Sequence, residues 1–298
     1  MAKERARNEL AQQADQLECQ SLSARGYPFS LSISCTGMSF RDKNQTLHVA
    51  TSAVNVGASV FSLRTVQAQI TSPAAIAMSG TDPLKANWDG LKASVRMSGK
   101  SVEDISLTAQ NLRLQKALAE NSVKNTAGIE LGGLQFDLNS IEEPLKVKMT
   151  FDDLRLTGDT SLPDLPELDG LIDITSPENL VSFNQRDESG SVLRGKSIQL
   201  NQMLFVLPSG TSISISGPAS FDAEGLANAD LKIRLTNPAA IGAVLQTAFP
   251  AQSKNINTIV FALGSMPKDE TGATVVPITI RNGKASASFI PLGRLPLF

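Results

Sequence analysis

From Phe29 onward the chain is dominated by short runs in which every second residue is apolar. Phe29, Leu31, Ile33 and Cys35 alternate with serines. The same alternation recurs in Leu47-Val49-Thr51-Ala53, in Val66-Ala68-Ile70, and in Leu231-Ile233-Leu235. It recurs again in Ile259-Phe261-Leu263, Val276-Ile278-Ile280 and Ala285-Ala287-Phe289. Successive side chains of a strand point to opposite faces, so this period predicts strands with one apolar face. Gly, Pro, Asn or Asp separates most of the runs, which favours antiparallel pairing through turns. The chain is therefore expected to be mainly β.

In three places the alternation slips by one residue. Ile105, Leu107 and Ala109 hand over to Leu112 and Leu114. Ile129 and Leu131 hand over across Gly132-Gly133 to Leu134, Phe136 and Leu138. Leu145, Val147, Met149 and Phe151 hand over across Asp152-Asp153 to Leu154 and Leu156. A one-residue slip turns later side chains to the wrong face. A β-bulge restores the facing and bends the strand. Either these are long, bulged, curved strands, or each slip separates two short ones.

Two helices are expected. Lys3 to Ala24 is rich in helix formers, carries a thin stripe of Ala6, Leu10, Ala14 and Leu17, and ends at Gly26 and Pro28. Near 238–249, Asn237 suits an N-cap, Pro238 the first turn, and Ile241, Val244, Leu245, Ala248 and Phe249 share a face. That helix is either a lid over an open sheet or a cap on one end of a core. The acidic, Pro-containing stretch 157–170 reads as a linker between two β halves. The expected organisation is thus an N-terminal helix over 1–25, a first β half over 26–160 and a second over 161–298. Weak internal similarity sets Leu107, Leu112 and Leu114 against Leu193, Ile198 and Leu200.

Composition excludes several function classes. With 27 Lys+Arg against 29 Asp+Glu the net charge is −2, without the basic excess of a nucleic-acid binder. A single His argues against a His-rich metal site or a Ser-His-Asp triad. His48 lies in opposite phase to Leu47 and Val49 and is expected to face solvent. Gly190 to Ser197 spells a P-loop, but polar residues precede it and strand-like Ile198 and Leu200 follow, so a hairpin is favoured. Asp152, Asp153, Asp159, Asp164, Glu167, Asp169 and Asp173 lack EF-hand spacing and read as solvated loop. Asn44-Gln45-Thr46 is a sequon by spelling only, and no cofactor or metal is implied. No apolar run is long enough to span a bilayer as a helix. Cys19 and Cys35 have no CxxC neighbour. They are either two reduced thiols or a disulfide worth about 3 kcal/mol.

Gly26-Tyr27-Pro28-Phe29, followed by alternation and Cys35, resembles the opening of a mainly alphaproteobacterial envelope family known as domain of unknown function 2125. Trp88 with Leu91, Ala93 and Ser94 is similar to it, as are Pro277 to Lys284 and Ile290 to Phe298. The resemblance implies a short cytoplasmic start, one transmembrane helix and a periplasmic β-rich body. The anchor would then lie upstream, and residues from about Lys3 would be the soluble part. It also implies a Cys19–Cys35 disulfide. More loosely, the architecture is similar to AsmA-like envelope proteins, whose curled sheets hold lipid on an apolar inner face. The expected fold is a long, curved, twisted antiparallel sheet, an open half-barrel or roll. The expected role is a non-enzymatic, inner-membrane-anchored periplasmic protein binding lipid or another apolar ligand on the concave face. Candidate lipid-contacting residues are Leu134, Phe136, Leu138, Val147, Met149 and Phe151. The alternative is an envelope scaffold that pairs with an unknown protein partner through exposed strand edges.

Overall fold

The structure is a computed structural model that describes residues 16–26, 29–43, 46–99, 101–117, 127–139, 144–158, 165–177, 193–287 and 290–296. The chain is mainly β, with strands following an open-ended, antiparallel sheet order from β1 to β16. It divides into two compact units, 1–135 with 154–161 and 136–153 with 162–298. Residues 136–153, placed with the first half by sequence, thus cluster with the second.

The first unit contains β1 (Gln16–Arg25), β2 (Ser30–Arg41), β3 (Leu47–Ser59), β4 (Ser62–Met78), β5 (Leu84–Asn87), β6 (Gly90–Ser98) and β7 (Ser101–Lys116). The strand β1 corrects the expected N-terminal helix over its last ten residues. It pairs with β2 from Gln16 opposite Arg41 to Arg25 opposite Ser32. Helix propensity is a weak prior that tertiary pairing overrides. Leu17 and Cys19, then Leu22 and Ala24, already carry a period of two with a one-residue slip. Residues 3–15 of that expected helix, and Tyr27-Pro28 of the turn after it, lie outside the described residues.

The slips at 109–112 and 151–154 lie inside single long strands, each at a residue with left-handed backbone. Strand β7 continues through Asn111, left-handed at φ 50°. Strand β9 (Leu145–Thr157) continues through Asp153 at φ 54°. Strand β8 (Gly128–Asn139) runs unbroken across Gly132-Gly133.

The second unit holds the C-terminal part of β8, most of β9, β10 (Leu168–Ser176), β11 (Ser197–Val206), β12 (Ser212–Phe221), β13 (Ala227–Thr236), β14 (Thr274–Arg281), β15 (Lys284–Ala287) and β16 (Ile290–Arg294). Two helices, α1 (Pro238–Ala248) and α2 (Ser253–Gly264), connect β13 to β14. The Asn237 side chain caps α1 by accepting from the Ala240 N–H at 3.3 Å. Ile241 of α1 and Leu263 of α2 pack on a core of Phe221, Ala229, Leu235, Val276, Ile278 and Ile280. The first helix therefore caps a filled core. The second corrects the expected strand at Ile259-Phe261-Leu263: buried Ile256 and half-buried Val260 and Leu263 follow the helical i, i+4, i+7 spacing.

Candidate functional site

The register of the first unit sorts its side chains onto two unlike faces, because directly opposed residues share a face. One row runs Leu22–Cys35–Val54–Ile70–Leu91–Ala109 across β1, β2, β3, β4, β6 and β7. The next runs Ala24–Ile33–Val56–Ala68–Ala93–Leu107, and a third runs Leu31–Ala58–Val66–Val95–Ile105. Every member is apolar and none is aromatic. At about 4.8 Å between strands, six strands span roughly 24 Å, comparable with an extended acyl chain. Within this unit the close backbone contacts of these strands are with neighbouring strands. Leu22 is 69% exposed and Leu31 56%, whereas Cys35, Val54 and Ala109 are buried.

The opposite face carries Ser32, Asn55, Gln67, Gln69, Lys92 and Ser106, around an open cleft of ≈ 700 Å³. A twisted sheet is saddle-shaped, so each face is hollow along a different direction. This hollow is lined by hydroxyl and amide side chains together with the apolar residues Leu31, Ala58, Ala68 and Ala93.

A line of irregularities bends the apolar face. Gly37 interrupts the β1–β2 ladder at φ 57°, the β3–β4 register shifts between Thr51 and Ala53, and Pro73 removes a ladder donor from β4. β5 and β6 lie end to end between β4 and β7, broken at Trp88-Asp89. Opposite that break is Asn111, whose side-chain amide donates to the Asp89 carboxylate at 2.6 Å. Residues from both sides of the line pack together: Ile70 and Leu91 from one arm, Ile76, Leu112 and Leu114 from the other, around Ala74, Ala86 and Trp88. The crease therefore closes toward the apolar side. The Trp88 indole N–H donates to the Ile70 carbonyl at 2.9 Å, and its backbone N–H to the Ser72 hydroxyl at 3.1 Å. The Cys19–Cys35 disulfide crosses the same line from β1 to β2, with Cα atoms 5.5 Å apart.

The family model described as an uncharacterized protein conserved in bacteria (DUF2125) matches residues 2–296. The chain belongs to the DUF2125 family. No curated protein and no solved structure matches it.

In this DUF2125 chain the six sequence-derived lipid candidates lie on β8 and β9. Leu138 and Phe151 are buried, while Leu134, Phe136, Val147 and Met149 are half-buried. The Phe151 ring lies against Gly170, where no Cβ would fit, and 6.3 Å from the Phe205 ring. Phe151 thus fills a core position. The aliphatic rows of the first unit were not singled out from sequence, although β2, β3 and β4 contribute three of the alternating runs named there.

The other sequence motifs take structural places. His48 is half-buried, with the Ser39 hydroxyl 3.1 Å from its Nε2. Leu193 to Gly195 form a turn and Ser197 opens β11, so a strand follows the P-loop spelling; its first residues, 190–192, lie outside the described residues. Asp169 accepts the Asp153 backbone N–H at 3.0 Å, and Asp173 accepts from Asn201 at 2.7 Å. Asp173 thus braces the register shift at Asn201, and Asp169 the left-handed Asp153; Asp159 and Asp164 lie outside the described residues. The internal similarity does not survive at Leu193, which is in a turn, whereas Leu107 is in β7. What recurs instead is an Asn amide bonded to an Asp carboxylate, Asn111–Asp89 and Asn201–Asp173. Asp269 is held below the ordinary carboxylate range, chiefly by the Thr271 hydroxyl, with Arg234 adding to it.

Proposed function

We propose that this protein is a non-enzymatic, periplasmic envelope protein, anchored in the inner membrane in its full-length form, that holds lipid acyl chains on the apolar face of its first unit. The observation that carries the reading is the three parallel aliphatic rows, the first of which reaches the Trp88 crease through Ile70 and Leu91. An uncharged, non-aromatic surface with small rotamer-limited side chains suits a flexible chain that slides along it. A Cys19–Cys35 disulfide fits an oxidising compartment. Photo-crosslinking in cells with a diazirine-bearing fatty acid tests the assignment. Labelled peptides are expected in β2, β3, β4, β6 and β7. Labelling confined to other strands, or no labelling, would overturn it.

A second reading is favoured by β1, which stands at one end of the sheet order and is exposed along nearly its whole length. Such an edge can accept a partner strand. A cysteine cross-linker placed at Glu18 or Ser23 would then trap a specific protein neighbour.

A further inference from the structure

The β3–β4 hairpin turns through Val60 and Phe61, flanked by the opposed pair Ser59 and Ser62. Two-residue hairpin turns normally use Asn, Asp or Gly, because these tolerate the turn geometry and are content in water. Here a β-branched and an aromatic residue occupy the turn, 44% and 85% exposed. Phe29 is 68% exposed beside them, its carbonyl accepting the Val60 N–H at 3.1 Å. Leu31 continues the patch inward, because Leu31 opposite Ala58 begins the third apolar row. The tip is therefore the open end of the aliphatic face. Around it stand exposed Arg25, Ser30 and Ser62, and Arg64, which is paired with Glu103 and donates to the Met97 carbonyl.

We propose that this tip docks on a lipid bilayer, with Phe29, Val60 and Phe61 inserted among the acyl chains and Arg25 at the headgroup level. The inference rests on the lipid-seat reading above and gives that seat a route to the membrane. A handful of protruding apolar side chains is too small for a stable protein interface, which needs about 800 Å² per partner. Such a tip is sufficient for shallow insertion, in which apolar groups enter some 5–10 Å and arginine stays at the surface. Docked this way, the aliphatic rows open directly onto the bilayer, and a chain can pass between the two without crossing water. The tip is at the far end of the β1–β2 pair from Gln16.

The test is co-sedimentation of the full chain with sucrose-loaded phosphatidylethanolamine/phosphatidylglycerol vesicles. Phe29→Ser with Phe61→Ser is expected to reduce the bound fraction about tenfold. The fluorescence of Trp88, the only tryptophan, should be unchanged, as should the lipid that copurifies. Phe61→Leu, alone, should retain most of the binding, because it keeps an apolar tip. Failure of the wild-type chain to sediment with vesicles would overturn the proposal, as would a double variant that sediments like wild type. Tip-dependent sedimentation by a protein that carries no lipid would uphold docking and refute the lipid seat, so the two can fail separately.

Discussion

Replacing Trp88 by Phe probes the crease that gives the apolar face its shape. The side chain is 7% exposed and packs among Ile70, Leu91, Leu112 and Leu114, which come from both arms of the bend. Phe preserves an aromatic ring but deletes the N–H that donates to the Ile70 carbonyl at 2.9 Å. Leaving a buried acceptor without its donor costs about 1–3 kcal/mol. The vacated part of the indole adds about 1 kcal/mol as incompletely collapsed volume. The expected loss is therefore about 2–4 kcal/mol, read from urea unfolding followed by far-UV circular dichroism. Ser72→Ala removes the neighbouring bond to the Trp88 backbone and should cost about 1 kcal/mol. Because both act on one residue, the double variant should lose less than the sum. A Trp88→Phe loss within about 0.5 kcal/mol, the scale of ordinary surface substitutions, would refute the crease as a packed element.

Three further outcomes are expected. Gly170→Ala drives a Cβ into the Phe151 ring and should destabilise by about 1–3 kcal/mol, with partial rescue by Phe151→Leu, measured by chemical denaturation. Cys35→Ser should cost about 3 kcal/mol by releasing a 16-residue loop closure, and intact mass without reductant should show the wild-type chain two hydrogens lighter than its reduced form. Asp269 titrates below its ordinary value, so its stabilising contribution is present above the unfolded-state pKa and fades as pH falls through the folded one. Thr271→Val should raise that titration toward the ordinary carboxylate value, followed by carboxyl-carbon NMR.

Much of the architecture was legible because it follows from local periodicity. The slip between Ala109 and Leu112 marked an irregular strand position: Asn111 stands there with left-handed backbone, while 87–90 oppose 110–113 in equal number, without an inserted residue. Asn237 and Pro238 marked the start of α1. Gln16–Arg25 was misread because good helix formers obscured a slipped alternation, and pairing to β2 decided the outcome. In α2, three alternating residues imitated a strand, although Ile256, Val260 and Leu263 carried the helical spacing. The candidate face was only half legible. Each run showed an apolar side, but which runs align into continuous rows depends on which residues stand opposite one another. Leu138 and Phe151 have the same pattern as Val56 and Leu107, yet they are buried. The crease was illegible for the same reason: Gly37, Pro73, Trp88 and Asn111 are far apart in sequence and align only through strand register. The hairpin tip at Val60-Phe61 gave a signal that periodicity does not register, an apolar pair where a turn should be polar.

The central claim is that the aliphatic rows of the first unit hold acyl chains. Native mass spectrometry of the protein purified without detergent tests it most directly, comparing wild type with Val56→Lys, which places a charge in the middle of the second row opposite Ile33 and Ala68. The wild-type spectrum should carry lipid adducts. The variant should keep its fold, by circular dichroism and Trp88 fluorescence, and lose the adducts. A wild-type protein free of lipid, or a folded variant that retains it in full, would contradict the account.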